Sequence, residues 1–220
     1  MSDTEDKLSE QESLQLIQQM INKAKNSYHD TGIGPILWGT VITVCSLVTY
    51  FRIKYNFKLP FDIWLLTLIA LVPQIFIAIK QNRINKVKGY DDKVIDYLWI
   101  SFGISIFMLS FINNSIINGL NPVFQVYIDV KGARPTFDYG SFMTSFFLML
   151  YAIPTFVTGA CRNMRPMFLG GIICWVCCVV SVYTTIEWDM LLTAIAAIFA
   201  WLIPGIIIRR NFLKNSKANV

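Results

Sequence analysis

Residues 139–161 read YGSFMTSFFLMLYAIPTFVTGAC, a run without a charged side chain. A helix needs about 17 to 25 apolar residues to cross the hydrocarbon layer of a membrane, so this run is long enough to span it. In lipid, a helix also satisfies its backbone hydrogen bonds internally. The run therefore predicts a transmembrane helix and an all-α integral membrane protein.

Further charge-free runs lie on both sides of this one, and the chain is 55% hydrophobic and only 15% charged. Soluble domains carry roughly 25% charged residues, which argues against that class. The sequence predicts a cytoplasmic segment at 1–33, a domain of six transmembrane helices at 34–212 and a cytoplasmic tail at 213–220. The six predicted spans are residues 35–51, 62–79, 97–115, 139–161, 167–186 and 190–208.

The distribution of Lys and Arg predicts the orientation. With the N-terminus inside, 14 of the 19 basic residues fall on cytoplasmic segments, as the positive-inside rule requires. An even number of spans then places both termini in the cytoplasm. The net charge of +5 is explained by basic residues that set the orientation of the chain in the membrane and attract anionic lipid head groups. We therefore expect the chain to lie in a lipid bilayer and to bind no nucleic acid. The richness of the chain in Ile and Lys, together with its short loops, favours a bacterial inner membrane.

The N-terminal segment predicts an amphipathic helix. Ser9 and Glu12 fit a capping box, and apolar residues follow at helical spacing from Leu14 to Tyr28. Such a helix can lie in the membrane interface, pair with its own copy, or dock to a cytosolic protein. Together with the basic loop at residues 80–93, it is the predicted contact surface for a protein partner.

Proline recurs in the second, fourth and sixth spans, each time followed by a basic residue and an asparagine. This recurrence suggests three tandem two-helix hairpins, the alternative being chance similarity among apolar segments. A proline inside a span removes a backbone hydrogen bond and bends the helix. Gln74 is the most polar mid-span residue. The candidate residues for a helix bend or a cavity are Pro73, Gln74, Pro154 and Pro204.

Small residues about four apart on the odd-numbered spans predict helix contacts, because helices in lipid associate through close packing. We expect these contacts within one chain, and a homo-oligomer contact is the alternative. The candidate packing residues are Gly39, Thr43, Ser101, Ser105, Gly170, Cys174 and Cys178.

No constellation of residues predicts chemistry. The predicted span interiors hold no ionisable side chain, and Glu187 and Asp189 are expected in a solvated turn between the fifth and sixth spans. The residues from Asn113 to Asp138 are expected to form a long outer loop with a short hairpin or interfacial segment. We therefore expect no enzyme, no cofactor and no metal. The leading hypothesis is an accessory or regulatory subunit, and the alternative is a transporter or binding subunit for a small neutral or apolar solute.

Overall fold

The computed structural model describes residues 14–15, 31–84, 90–133 and 139–218, and these ranges contain helices and no β-strand. The prediction of an all-α chain is thereby confirmed for the part described. A π-helical segment (Ile198–Leu202) separates the last two helices. The helices are α1 (Ile33–Tyr55), α2 (Leu65–Ile84), α3 (Tyr90–Lys131), α4 (Gly140–Cys161), α5 (Arg165–Ser181), α6 (Ile186–Ala197) and α7 (Ile203–Ala218).

Four helical stretches are long and apolar enough to cross a membrane. They are Ile33–Tyr55, Asp92–Lys131, Gly140–Cys161 and Ile186–Lys214, the last of which joins α6, the π-helical segment and α7. Two shorter apolar helices, Leu65–Gln81 and Arg165–Ser181, correspond to the predicted second and fifth spans.

Two predicted contact elements fall largely outside this description. Of the N-terminal segment up to residue 30, only Leu14 and Gln15 are described, and both are helical. In the predicted 80–93 loop, residues 80–84 belong to α2 and residues 90–93 to α3, while residues 85–89 lie outside the described residues. Both elements therefore stay predictions.

Residues Asn113 to Lys131 are helical, so the expectation that they form a long outer loop is wrong. α3 is a continuous helix of 42 residues that contains Pro122. An isolated strand here would leave backbone groups without partners, whereas a helix satisfies them internally. Asn113 is fully buried, and its Oδ1 accepts a 2.6 Å hydrogen bond from the Tyr139 hydroxyl. This bond ties the middle of α3 to the turn before α4.

The bundle is built around two extended helix contacts, α4 along α5 and α1 along α6. Within the described residues, the α2 backbone comes close only to that of α1, and the α3 backbone only to that of α4. The members of each predicted hairpin do touch, but the most extensive contacts cross from one hairpin to another. The three-hairpin arrangement therefore stays a prediction.

A tight turn at residues 162–164 explains why α4 and α5 lie so close. Asn163 has a left-handed φ of 52°, and the Met164 N–H donates to the Gly159 carbonyl over 2.9 Å. This is the Schellman arrangement that ends a helix while satisfying its last carbonyls. α5 begins at once with Arg165. The chain thus reverses within three residues, which brings Gly159 against the first turn of α5.

Candidate functional site

Glycines occupy the closest contacts between helices. A Cβ added to Gly39 would lie 2.6 Å from the Leu202 nitrogen, and one added to Gly170 would lie 2.5 Å from the Ala200 Cα. Thr43 is buried one turn beyond Gly39 and donates a 2.6 Å hydrogen bond to the Gly39 carbonyl. Both glycines therefore sit where the backbones of α1 and α5 approach the π-helical segment, a pattern typical of helices that associate in lipid.

The cysteines of α5 pack inside the bundle. Cys174 is fully buried in the main core, and the Cys178 thiol donates to the Ser145 carbonyl of α4 over 3.2 Å. The hydroxyls of Ser145 and Ser181 lie 2.7 Å apart beside this bond. The four side chains join α4 to α5 and form no disulfide.

The candidate residues of α3 lie elsewhere. Ser101 is exposed and Ser105 is half-buried, and no described neighbour packs closely on Gly103 between them. Ser101 and Gly103 therefore lie off the face of α3 that packs on the bundle. A contact with another chain through Ser101 and Ser105 stays a prediction.

The three span prolines occupy different environments and do not line one cavity in the described part of the chain. Pro73 is exposed on α2, whereas Pro154 and Pro204 are fully buried. Pro204 borders a cavity of about 330 Å³ at the end of the bundle that holds the α4–α5 turn. The Gln74 Oε1 is buried and has no hydrogen-bond partner among the described residues, close to Gly34 of α1.

A buried aromatic cluster, which was not predicted from the sequence, surrounds Trp201 in the π-helical segment. Its ring centroid lies 4.8 Å from that of Tyr151 and 6.2 Å from that of Phe102. Its indole N–H donates to Thr155 over 2.9 Å, and the Trp99 N–H donates in the same way to Thr158 over 3.1 Å. The only available signal was the spacing of Tyr151, Thr155 and Thr158, which places all three on one face of α4.

Asp189 corrects the expectation of a solvated turn. It lies in the first turn of α6, and its side chain is fully buried. Its Oδ1 accepts a 2.5 Å hydrogen bond from Thr184, while its Oδ2 has no hydrogen-bond partner among the described residues. The expectation of a solvated turn is therefore wrong at this residue, which lies between the predicted fifth and sixth spans. Glu187 is half-buried.

The surroundings of Asp189 are rich in hydroxyl groups. Thr193, one turn further along the same helix, donates to the Asp189 carbonyl over 2.9 Å. Buried ionisable groups in membrane proteins often mark functional sites. The Thr184 hydroxyl is the hydrogen-bond donor that the described residues supply to this carboxylate. The described residues hold no group of three or more His, Cys, Asp or Glu side chains that could bind a metal.

Comparison with protein-family models, with curated proteins and with solved structures finds no match to this chain.

Proposed function

We propose that the chain is a six-span protein of a bacterial inner membrane, with both termini in the cytoplasm, and that it acts as a non-enzymatic accessory or regulatory subunit through a protein partner. Four helices apolar enough to cross a bilayer support the membrane location. The observation that carries the partner proposal is an exposed apolar stripe at the C-terminal end of α3.

The two shorter apolar helices bear on the number of crossings. α5 has 17 residues, which at 1.5 Å per residue gives about 26 Å. This length is at the lower limit for a hydrocarbon layer of about 30 Å. Because α4 turns back within three residues and α5 runs antiparallel beside it, both helices cover the same depth. The apolar part of α2, Leu65–Gln81, has a comparable length.

Six crossings predict a labelling pattern for single cysteines placed in a cysteine-free variant. In intact cells, a membrane-impermeant maleimide is expected to label Lys58→Cys and Tyr183→Cys from outside. Arg83→Cys and the native Cys161 should react only after the membrane is permeabilised. If Cys161 and Tyr183→Cys reacted from the same side, α5 would not cross the membrane and the six-span proposal would be wrong.

The length of α3 determines how much of it lipid can cover. Its charge-free part, residues 97–128, is about 48 Å long, against about 30 Å of hydrocarbon. Even a tilt of about 40° leaves more than one turn outside. In the proposed orientation the last turns of α3 therefore project from the outer side of the membrane.

These last turns carry apolar side chains that face away from the bundle. Val123, Val126 and Val130 are 60%, 63% and 75% exposed, and with Tyr127 they follow the spacing of one helix face. Beyond the bilayer this outer stripe would meet water, where a contiguous apolar surface marks a site of protein interaction. The partner expected here presents a complementary apolar surface at the outer membrane face.

Charging the outer stripe is expected to release the partner without unfolding the bundle. The variant Val126→Lys/Val130→Lys removes two apolar side chains, each contributing about 1.5 kcal/mol or more when buried, so affinity should fall by at least about a hundredfold. The measurement is affinity purification from native membranes in mild detergent, with identification of co-purifying proteins. Gln125→Lys is the control, because Gln125 is exposed on the opposite face of the same helix.

The same purification tests the predicted cytoplasmic contact. A chain lacking residues 1–30 should lose a partner that binds the N-terminal helix and the 80–93 loop, and should keep one that binds the outer stripe. If the double lysine variant retained every protein that the wild type binds, the role of the stripe would be refuted. Recovery of nothing but a second copy of the chain would support the homo-oligomer.

The alternative proposal is a transporter or binding subunit for a small neutral or apolar solute. It relied on a cavity shaped by Pro73, Pro154 and Pro204, and only Pro204 borders the 330 Å³ cavity. The environments of the prolines thus favour the partner proposal. A bound small molecule that survives deletion of residues 1–30 and is lost on replacing Gln74 would reverse that preference.

A further inference from the structure

The 330 Å³ cavity is lined by both polar and apolar side chains. It lies where the α4–α5 turn meets α7, at the end of the bundle proposed to face the cytoplasm. Its volume is at the lower end of the range of about 300 to 1,000 Å³ for small-molecule sites, which suits a head group better than a whole lipid. Its lining comes from the α4–α5 turn, the first turn of α5 and the N-terminal part of α7.

The polar lining residues share one end of the cavity. Asn163 and Arg165 lie at the turn, and Asn211 lies two turns further along α7 than Pro204. Met167, on the other side, is buried at 2% exposure. Because α5 and α7 run in opposite directions here, the polar side chains share the proposed cytoplasmic end with Met164 and Pro166, and Met167 lies deeper. This gradient matches a lipid head group with the first part of its acyl chain.

The charge in the cavity selects an anionic ligand. Arg165 is the one charged residue of the lining, and the nearby Arg162 is engaged with Asp92 of α3 at 3.8 Å. Arginine binds phosphate through several donors in a fixed plane, and the amides of Asn163 and Asn211 add further donors. Basic pockets between helices on the cytoplasmic side are known sites for anionic lipid head groups.

We propose that this cavity binds the phosphate head group of an anionic phospholipid, with Arg165 as the charged contact. The backbone N–H groups of Met167 and Phe168 already donate to the Met164 carbonyl, so the side chains, and not the start of α5, supply the donors. Binding would fix the α4–α5 turn to α7. This role does not depend on the partner proposal.

The test compares protein in vesicles of phosphatidylcholine alone with protein in vesicles that also contain phosphatidylglycerol. The wild type should show a saturable rise in unfolding temperature with phosphatidylglycerol and should retain one such lipid in native mass spectrometry. Arg165→Gln should weaken retention about tenfold or more, the effect of losing a charge-assisted hydrogen bond. Asn163→Gly keeps the left-handed backbone conformation while removing the amide, and should weaken retention less.

The matched control is Arg210→Gln, which removes an exposed charge from the same end of the bundle outside the lining. An equal loss in Arg210→Gln and Arg165→Gln would mean that general surface charge attracts the lipid, and the site would be refuted. Inorganic phosphate, titrated in an uncharged detergent, should produce no saturable shift. A shift matching that of phosphatidylglycerol would identify a free-phosphate site and also overturn the proposal.

Discussion

Replacing Gly170 by alanine is expected to destabilise the bundle by about 1 to 3 kcal/mol or more, the range for overpacking a close contact. The added Cβ would lie 2.5 Å from the Ala200 Cα and 2.6 Å from the Phe199 carbonyl oxygen. Both are backbone atoms, so no side-chain rotation can relieve the clash. α5 would have to move away from the π-helical segment, and its other packing contacts would be lost.

The measurement is reversible unfolding by denaturing detergent in mixed micelles, with Gly103→Ala as the matched control. Nothing lies within 4 Å of a Cβ at Gly103, and alanine is the better helix former by about 1 kcal/mol. The control should therefore equal or exceed the wild type in stability. Equal stability of the two variants would mean that α5 and the π-helical segment do not pack as closely as the structure has them.

The sequence was most informative where its signal was long and local. The charge-free run at 139–161 predicted α4 to within one residue of its observed bounds, Gly140–Cys161. Helix formation in such a run depends on the length of the apolar stretch and on the backbone hydrogen bonds that a helix makes within itself. Both are properties of the segment alone. The helical structure of the other described segments could be predicted for the same reason.

The structure at the end of α3 could not be predicted as reliably, because its residues fit both the alternating pattern of a strand and the spacing of one helix face. The segment VFQVYIDV alternates weakly, as a strand does, and also places Val123, Val126 and Val130 on one helix face. Its β-branched residues favour a strand when propensity alone is considered. Continuity with the preceding helix decides the outcome, and local sequence does not contain that information.

Burial was the property least accessible from sequence. Gly170 and Ser101 both belong to sets of small residues at helical spacing, yet Gly170 contacts a neighbouring backbone and Ser101 is exposed. Asp189 stands at the edge of a span, where a solvated turn is the common result. Which helix lies beside a residue is a property of the whole bundle, so spacing identified candidate faces but not their partners.

Replacing Trp201 by alanine is expected to cost about 3 to 5 kcal/mol, the usual loss for removing a large buried aromatic side chain. Trp201 is 3% exposed and contacts aromatic rings of both α3 and α4. In lipid the loss comes from packing contacts more than from hydration. Because the α3 backbone comes close only to that of α4 among the described helices, α3 depends on such side-chain contacts, and loosening this cluster should also weaken its attachment.

Two further variants, studied by the same unfolding measurement, separate the contribution of the buried ring from that of its hydrogen bond. Trp188→Ala removes the same side chain at a position that is 56% exposed, and it should cost far less. Trp201→Phe keeps a ring but removes the N–H that donates to Thr155, a loss of about 1 kcal/mol for a neutral hydrogen bond. If Trp201→Ala were as mild as Trp188→Ala, the aromatic cluster would not hold α3, α4 and the π-helical segment together.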